Sequence, residues 1–265
     1  MKKLMLALTA VAAFTGSAMA ADMAPRAYSK APPPPVAVAP SWTGFYVFGG
    51  FGGGLWAADS NVISYPGLVG ISRDQRLGGS GWYGTVGAGY DWQFNSNWVA
   101  GIFADGQFGS ISGSLSDPFN AVEGREKLRD SWAAGVRVGY LVAPNVLSYV
   151  NAGYSGSQWS GTGMSTLAAA GGPVIINTPS FTRNGWFVGG GVENNLSIFG
   201  LINAPGWFIK TEYRVAYYDR ITLPETFAAT GLLTGQAATF KPWDQTISTS
   251  LVYRFNWGGP VVAKY

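Results

Sequence analysis

The chain has 265 residues, of which 47% are hydrophobic and only 12% are charged, about half the charged fraction of an ordinary soluble domain. It has no cysteine and no histidine, which excludes a disulfide framework, thiolate chemistry, a Ser-His-Asp triad and imidazole ligation of a metal. The 38 glycines, 11 Trp, 13 Tyr and 15 Phe favour a chain that contacts something other than water.

Residues 1–20 predict a secretory signal peptide, because Lys2 and Lys3 precede an apolar run from Leu4 to Phe14 and a small-residue cleavage site at 18–20. The run has about half of the roughly 20 residues that a spanning helix needs, which disfavours a membrane anchor. Removal of the peptide lowers the formal charge from +3 to +1, since 15 Lys and Arg then face 14 Asp and Glu. We therefore expect no nucleic-acid partner.

Residues 21–41 predict an extended, proline-rich tail in the periplasm. Four of its six prolines are consecutive, at 32–35, which favours polyproline II structure and opposes a helix or a central strand. We interpret the tail as a spacer, with a contact segment as the alternative. No later stretch reaches 18 apolar residues, so the sequence predicts no membrane-spanning helix in the chain that remains after the signal peptide is removed.

Beyond the tail, side chains alternate with a period of two, which predicts β-strands. In the stretch 82–94, Trp82 and Val86 fall on the apolar face, whereas Thr85 and Asp91 fall on the opposite one. The predicted strands cover residues 42–55, 82–94, 98–108, 131–142, 150–155, 186–193, 207–217 and 246–255. Most are about 10–14 residues long, which suits a tilted strand that crosses a membrane in roughly 9–11 residues.

The connections between these strands alternate between long and short. Long gaps fall near 56–79, 111–129, 158–184 and 219–243; tight turns fall at 95–97 and 143–145, and 194–206 is intermediate. Long outer loops and short periplasmic turns are typical of outer-membrane barrels. With eight strands and a long first connection, both termini are expected in the periplasm.

Tryptophans lie at or near the ends of the predicted strands, where indole rings meet the lipid headgroups. The predicted aromatic girdle is Trp42, Trp82, Trp92, Trp98, Trp132, Trp159, Trp186, Trp207 and Trp257. A secreted β-sandwich is the alternative, but its tryptophans would more often lie in mid-strand, within the core.

A sheet in lipid must close, because lipid offers no partner for an unpaired backbone N–H or C=O. The sequence thus predicts an all-β fold, an eight-stranded antiparallel transmembrane β-barrel with an up-and-down meander over residues 42–257. The predicted lumen charges are Asp91, Asp105, Arg137, Glu193, Lys210, Glu212, Arg214 and Arg254. Their signs balance, and the interior of an eight-stranded barrel is just wide enough for side chains to fill it. We expect a lumen plugged by paired charges.

Four short motifs carry a family resemblance. Residues 42–47 (WTGFYV), 185–193 (GWFVGGGVE), 207–213 (WFIKTEY) and 251–255 (LVYRF) resemble strands of the alphaproteobacterial outer-membrane immunogenic proteins, which are small OmpA-like barrels of the porin family. The resemblance spans residues 42–257 and implies an abundant surface antigen of the cell envelope. It implies outer-membrane lipid, lipopolysaccharide and the barrel-insertion machinery as partners, with host or phage ligands on the outer loops. Some members are described as porins and some as haem binders.

Such barrels often end on an aromatic residue of the last strand that the insertion machinery recognises. Here Tyr253 and Phe255 are followed by a tail at 258–265 that contains Pro260 and ends at Tyr265. Because Pro260 and the glycines before it interrupt any strand extension, we expect Tyr253 and Phe255 to form an internal insertion signal.

The sequence offers little for catalysis or for a cofactor. Glu193 and Glu212 would face inward on adjacent strands, where acid–base work is possible, but basic neighbours are expected to neutralise each of them. The glycine run 49–54 lacks the Lys-Ser/Thr of a phosphate loop. Met164 lies in a predicted outer loop, which disfavours haem ligation. We expect no enzyme activity, cofactor or metal.

These observations predict an integral outer-membrane barrel with a structural role in envelope integrity and in surface contacts. A small porin that passes small hydrophilic solutes is the alternative from the transport class. A secreted soluble β-protein, such as a lectin, is the third hypothesis.

Overall fold

A computed structural model describes residues 41–167, 171–196 and 205–255. The predicted signal peptide, almost all of the proline-rich tail, Trp257 and the tail at 258–265 lie outside the described residues.

Antiparallel strands form a single closed sheet. The described strands are β1 (Gly44–Ser60), β2 (Val62–Ser64), β3 (Gln75–Gln93), β4 (Trp98–Asp117), β5 (Val122–Ala143), β6 (Val146–Trp159), β7 (Thr162–Thr166), β8 (Val174–Thr178), β9 (Phe181–Asn195), β10 (Trp207–Tyr218), β11 (Ile221–Phe227) and β12 (Leu233–Arg254). Eight of them form a ring in the order β1-β3-β4-β5-β6-β9-β10-β12, and β12 pairs with β1 to close it. The predicted eight-stranded antiparallel barrel is confirmed.

The other four strands extend the wall of the barrel at one end. β7 continues from β6 and pairs with β5, and β11 continues from β10 and pairs with β12. Between them, β8 pairs with both β7 and β11 and leads into β9, while β2 pairs with β12. The meander of eight long strands therefore persists through this end of the molecule.

The strands enter segments that the sequence predicted as long loops, at 56–79, 111–129, 158–184 and 219–243. β4 runs to Asp117 and β5 begins at Val122, so only a turn at 118–121 remains of the second predicted loop. In this part of β4 the two faces of the strand exchange character, so that apolar side chains face inward and polar ones face outward. Ile111 and Leu115 point inward and are buried, whereas their serine neighbours lie on the opposite face.

The connections at the other end are short, as predicted. β3 and β4 are joined through residues 94–97, and β5 and β6 through 144–145. The backbone N–H of Phe94 donates to the carbonyl of Trp98 across the first turn. No helix in the described part of the chain has both the length and the hydropathy to cross a membrane.

The interior contains two clusters of buried apolar side chains. One surrounds the predicted lumen charges and includes Tyr46, Phe48, Phe103, Phe187 and Phe208. The other fills the extended end of the barrel, and we call it the cap core. Its members are Trp56, Ala58, Leu77, Tyr83, Ile111, Leu115, Val122, Leu128, Trp159, Met164, Ile176, Phe181, Leu223 and Phe240.

Candidate functional site: the barrel lumen

All eight predicted lumen charges point into the barrel and are buried. The most exposed of them, Asp105, retains only 7% of its accessible surface. The period of two places them there, since each lies opposite an outward apolar neighbour on its strand. Buried charges are stable only when they are paired and hydrogen-bonded, so their contacts decide what the lumen can do.

Four of the charges form a closed ring near the short turns, which we call the lower cluster. Arg137 donates from Nε to Asp91 Oδ1 at 2.8 Å and from Nη1 to Glu193 Oε2 at 3.2 Å. Arg254 donates from Nε to Glu193 Oε1 at 2.8 Å, and its Nη2 lies 2.8 Å from Asp91 Oδ2. Each arginine thus contacts both carboxylates, and the lower cluster is electrically neutral.

The other four charges form the upper cluster, one layer nearer to the cap core. Arg214 donates to both oxygens of Asp105, at 3.0 and 2.7 Å, and to Glu212 Oε1 at 2.7 Å. Lys210 Nζ lies 3.7 Å from Glu212 Oε2, which also accepts a hydrogen bond of 2.8 Å from the Tyr149 hydroxyl. This second layer is neutral as well.

Aromatic rings occupy the space beside each basic group. The Arg137 guanidinium lies 4.3 Å from the centroid of the Tyr46 ring, and the Arg254 guanidinium lies 4.4 Å from that of Trp42. Lys210 Nζ lies 3.3 Å from the Phe48 centroid. Cation–π contacts at such distances are favourable, and more so where water is excluded. Rings and charges thus lie side by side within the lumen.

Sequence reasoning missed these inward aromatic residues. Apolar side chains occupy both faces of the strand predicted at 42–55, where Tyr46 and Phe48 alternate with outward Phe45 and Val47, so alternation alone does not tell its two faces apart. The structure decides the face of this strand, because Tyr46 is paired in register with the inward Arg254. Directly opposed residues of an antiparallel pair point to the same face.

Glu193 and Glu212 lie in different clusters, each with its own basic partners. The arrangement therefore lacks the shared carboxylate pair that acid–base work would use. Within the described ranges, no three Asp or Glu side chains converge in a geometry suited to a metal ion.

Six of the predicted girdle tryptophans lie on the outward face at two levels. The level near the short turns has Trp92, Trp98 and Trp207, and the level near the cap has Trp82, Trp132 and Trp186. Trp82 and Trp92 are ten residues apart on β3, about 34 Å along a strand. At a tilt of 35–45° this separation becomes about 25 Å, the height of the lipid-facing band of a barrel.

Two predicted girdle members lie inside the barrel instead. Trp42 is 1% exposed and packs against Phe208, with ring centroids 5.0 Å apart. Trp159 is fully buried in the cap core, where it stacks on Phe181 at 5.8 Å. A position near a strand end does not decide between the two faces of the strand, and both of these residues have the inward parity. Trp257 lies outside the described residues.

The predicted insertion signal lies on the outward face at the end of β12. Phe255 is 59% exposed, and the Tyr253 ring lies between Trp207 and Phe255 at centroid distances of 5.0 and 5.2 Å. The pair is accessible from the lipid side of the barrel.

Comparisons of the sequence with a known family and with curated relatives agree with this architecture. The sequence model of a family described as outer membrane protein beta-barrel domain matches residues 6–255. The chain is 30% identical over 218 residues to a 31 kDa outer-membrane immunogenic protein of Brucella melitensis, covering 80% of this chain and 85% of the relative. The protein of the same name from Brucella suis matches equally. Among solved structures, the outer membrane protein OprG from Pseudomonas aeruginosa is 8% identical with a TM-score of 0.46, over 80% of this chain and 97% of that one.

Proposed function

This chain belongs to the outer-membrane β-barrel protein family of Gram-negative bacteria, and from that premise we propose that it is a structural, non-enzymatic barrel whose lumen is sealed. The observation that supports the sealed lumen is the pair of neutral charge layers, in which Arg137, Arg254 and Arg214 each contact two carboxylates. The cap core adds an apolar layer above them. A solute on this path would have to displace both.

Conductance separates this proposal from its alternative, a small porin. We expect the refolded chain in planar bilayers to give no steady open channel, because displacing a buried guanidinium from its carboxylates costs several kcal/mol. Steady, large channels from the wild-type protein would overturn the sealed lumen and favour the porin.

We also propose that the outward face beside the cap contacts lipopolysaccharide. Arg76 and Lys241 flank Asp59 on adjacent strands, just beyond Trp243. The Arg76 guanidinium lies 5.5 Å from the Trp243 ring centroid, which holds a cation at the level where lipid phosphates lie. Charge reversal of Arg76 and Lys241 should weaken the binding of purified lipopolysaccharide to the refolded barrel. Unchanged binding would refute the proposal that this surface contacts lipopolysaccharide.

Insertion is proposed to depend on Tyr253 and Phe255 and to tolerate loss of residues 258–265. Their exposure at the lipid face supports this assignment. A chain truncated after residue 257 should still reach the outer-membrane fraction and show heat-modifiable migration on SDS gels. The full-length Phe255→Ala variant should accumulate uninserted. Loss of insertion on truncation alone would move the signal to the C-terminal tail.

A further inference from the structure

The outward side of β5 carries a row of exposed cations in the extended end of the barrel. Arg125, Lys127 and Arg129 alternate with inward residues and are exposed, whereas Glu126 has the opposite parity and is buried. Successive side chains of a strand point to opposite faces, so a stretch of mixed charge in the sequence becomes a basic face in the structure. We call these three cations the β5 ladder.

The β5 ladder has no anionic partner in the part of the chain that the structure describes. None of its three cations belongs to an ion pair there, although Glu123 and Asp130 lie just beyond the ladder at its two ends. Outward side chains of one strand lie about 7 Å apart, and like charges at that spacing repel each other. The face is therefore complementary to a chain of negative groups, which a single small anion does not provide.

Hydroxyl groups of the neighbouring strand extend this surface. Ser112 and Ser114 of β4 are paired in register with Lys127 and Arg125, so their side chains share a face with the ladder, at about 5 Å between Cβ atoms. A serine hydroxyl both donates to and accepts from oxygen groups such as those of phosphates and sugars. Beside Arg125 a groove of about 600 Å³ opens towards β7, with Gly163 in its wall. The face thus combines cations and hydroxyl groups with a groove that a sugar ring can enter.

The height of the β5 ladder indicates what stands against it. Trp132, which belongs to the tryptophan level near the cap, lies on the same strand, and Arg129 and Arg125 precede it by three and seven residues. These separations are about 10 and 24 Å along a strand, or roughly 8 and 18 Å in height at a tilt of 35–45°. The ladder therefore begins just outside the headgroup level and rises along the outer wall. A molecule anchored upright in the outer leaflet contacts all three cations, which favours a membrane glycolipid over a soluble polyanion.

We propose that the β5 ladder binds the anionic inner oligosaccharide of lipopolysaccharide, the saccharide that stands directly on lipid A. Arginine forms paired hydrogen bonds with phosphate and carboxylate groups, and lysine adds a point charge. The inference deepens the lipopolysaccharide contact proposed above and rests on it, since both require the barrel to lie among lipopolysaccharide molecules. The two contacts differ in what they recognise, because Arg76 and Lys241 were assigned to lipid phosphates and the ladder is assigned to the saccharide.

The test is calorimetric titration of a deacylated core oligosaccharide, which carries phosphates and acidic sugars but no lipid, into the refolded full-length chain in zwitterionic detergent. The triple variant Arg125→Gln, Lys127→Gln and Arg129→Gln should bind it about tenfold more weakly, because three exposed ion pairs are lost together. The matched control, Arg73→Gln with Arg220→Gln, removes exposed cations from turns at the same end and should leave the affinity nearly unchanged. Heat-modifiable migration on SDS gels verifies that each variant is folded.

Two further titrations separate the saccharide from other sources of negative charge. Lipid A without its saccharide should bind the triple variant and the wild-type chain almost equally. Glu123→Gln should tighten the binding of the oligosaccharide, because it removes the acid at the outer end of the ladder. If charge reversal of Arg76 and Lys241 leaves lipopolysaccharide binding unchanged while the triple variant loses the oligosaccharide, the earlier contact fails and the ladder stands.

A measurement on the wild-type chain alone makes the proposal testable even if the variants do not fold. Lys127 is exposed, so an amine-reactive reagent should modify it in the free protein, and the oligosaccharide should protect it. A neutral oligosaccharide of similar length should give no protection, and added salt should abolish that of the charged one because salt screens exposed charges. Absence of saturable binding, equal affinity of the triple variant and the wild-type chain, or an unprotected Lys127 would overturn the proposal.

Discussion

Replacement of Arg137 by methionine is the most direct test of the lumen network. Arg137 contacts Asp91 and Glu193, and its removal leaves Arg254 to neutralise both carboxylates. The lower cluster then changes from neutral to a net charge of −1 in a buried site. Breaking a buried pair from one side costs about 3–5 kcal/mol, and we expect a loss of that size in the free energy of unfolding.

The double variant Arg137→Met with Asp91→Asn separates charge imbalance from lost packing. It leaves Arg254 paired with Glu193, so the lower cluster is neutral again and most of the lost stability should return. The assay is equilibrium urea unfolding of the vesicle-inserted protein, followed by tryptophan fluorescence. Arg76→Met, on the exposed outward face, serves as the control and should change stability by less than about 0.5 kcal/mol.

Either of two results would refute the reasoning. One is a loss below about 1 kcal/mol for Arg137→Met, the range typical of an exposed ion pair. The other is a double variant as unstable as the sum of its two single variants, which would mean that the charges are not coupled.

Two further predictions concern the tryptophans and the cap. In single-tryptophan variants, lipids brominated near the headgroup should quench Trp82, which is 76% exposed, but not Trp159 in the cap core; equal quenching of both would contradict the two-level girdle. Burial raises the pKa of Glu126 from 4.5 to about 7. The Glu126 carboxyl therefore holds its proton more tightly in the folded cap than in the unfolded chain. Its contribution to stability is complete below pH 4.5 and is lost as pH rises through about 7. Protease resistance of the cap should fall over that interval, and Glu126→Gln should flatten the dependence.

The sequence sufficed for the ring of eight strands and for the eight predicted lumen charges, because both depend on the period of two alone. It missed Asp244, which is buried opposite Trp56 and Ala216 but precedes the strand predicted at 246–255. Once Trp82 and Val86 are assigned to lipid, Asp91 must point inward, whatever the rest of the chain does. The alternation of long and short connections then fixed the meander. The ion-pair partners could not be predicted from the sequence, because Arg137 and Asp91 belong to strands that are not adjacent in the ring.

The extended end of the barrel was missed because its pattern reverses. Between the two levels of tryptophan the apolar side chains face outward, but beyond them Ile111 and Leu115 face inward while serines meet water. The register shift between Phe108 and Ile111 marks the point of reversal in the β4–β5 pair. A sequence window that spans both halves shows no clear alternation, because the two opposite patterns cancel. Scanning for a change of phase in the alternation, rather than for its presence, would have detected the extension.

Close packing in the lumen explains some of the strand glycines, and this too can be tested. Gly89 points inward, and a methyl group built there would lie 2.6 Å from the carbonyl oxygen of Ile102 and closer still to the hydroxyl of Tyr46. Contacts below 3.0 Å require movement of the backbone, since a carbonyl cannot rotate away. Gly49 has the outward parity, and its nearest neighbour would be an ordinary 3.9 Å away.

Gly89→Ala should therefore destabilise the barrel by about 1–3 kcal/mol, the usual cost of overpacking, while Gly49→Ala should be neutral or slightly stabilising. The same urea titration measures both. The contrast matters because both changes add one methyl group to a strand glycine, so their strand propensities change alike. If Gly89→Ala were as harmless as Gly49→Ala, the Tyr46 ring could not be packed against the inner wall, and the Arg137 guanidinium above it would lose the surface on which the lower cluster is built.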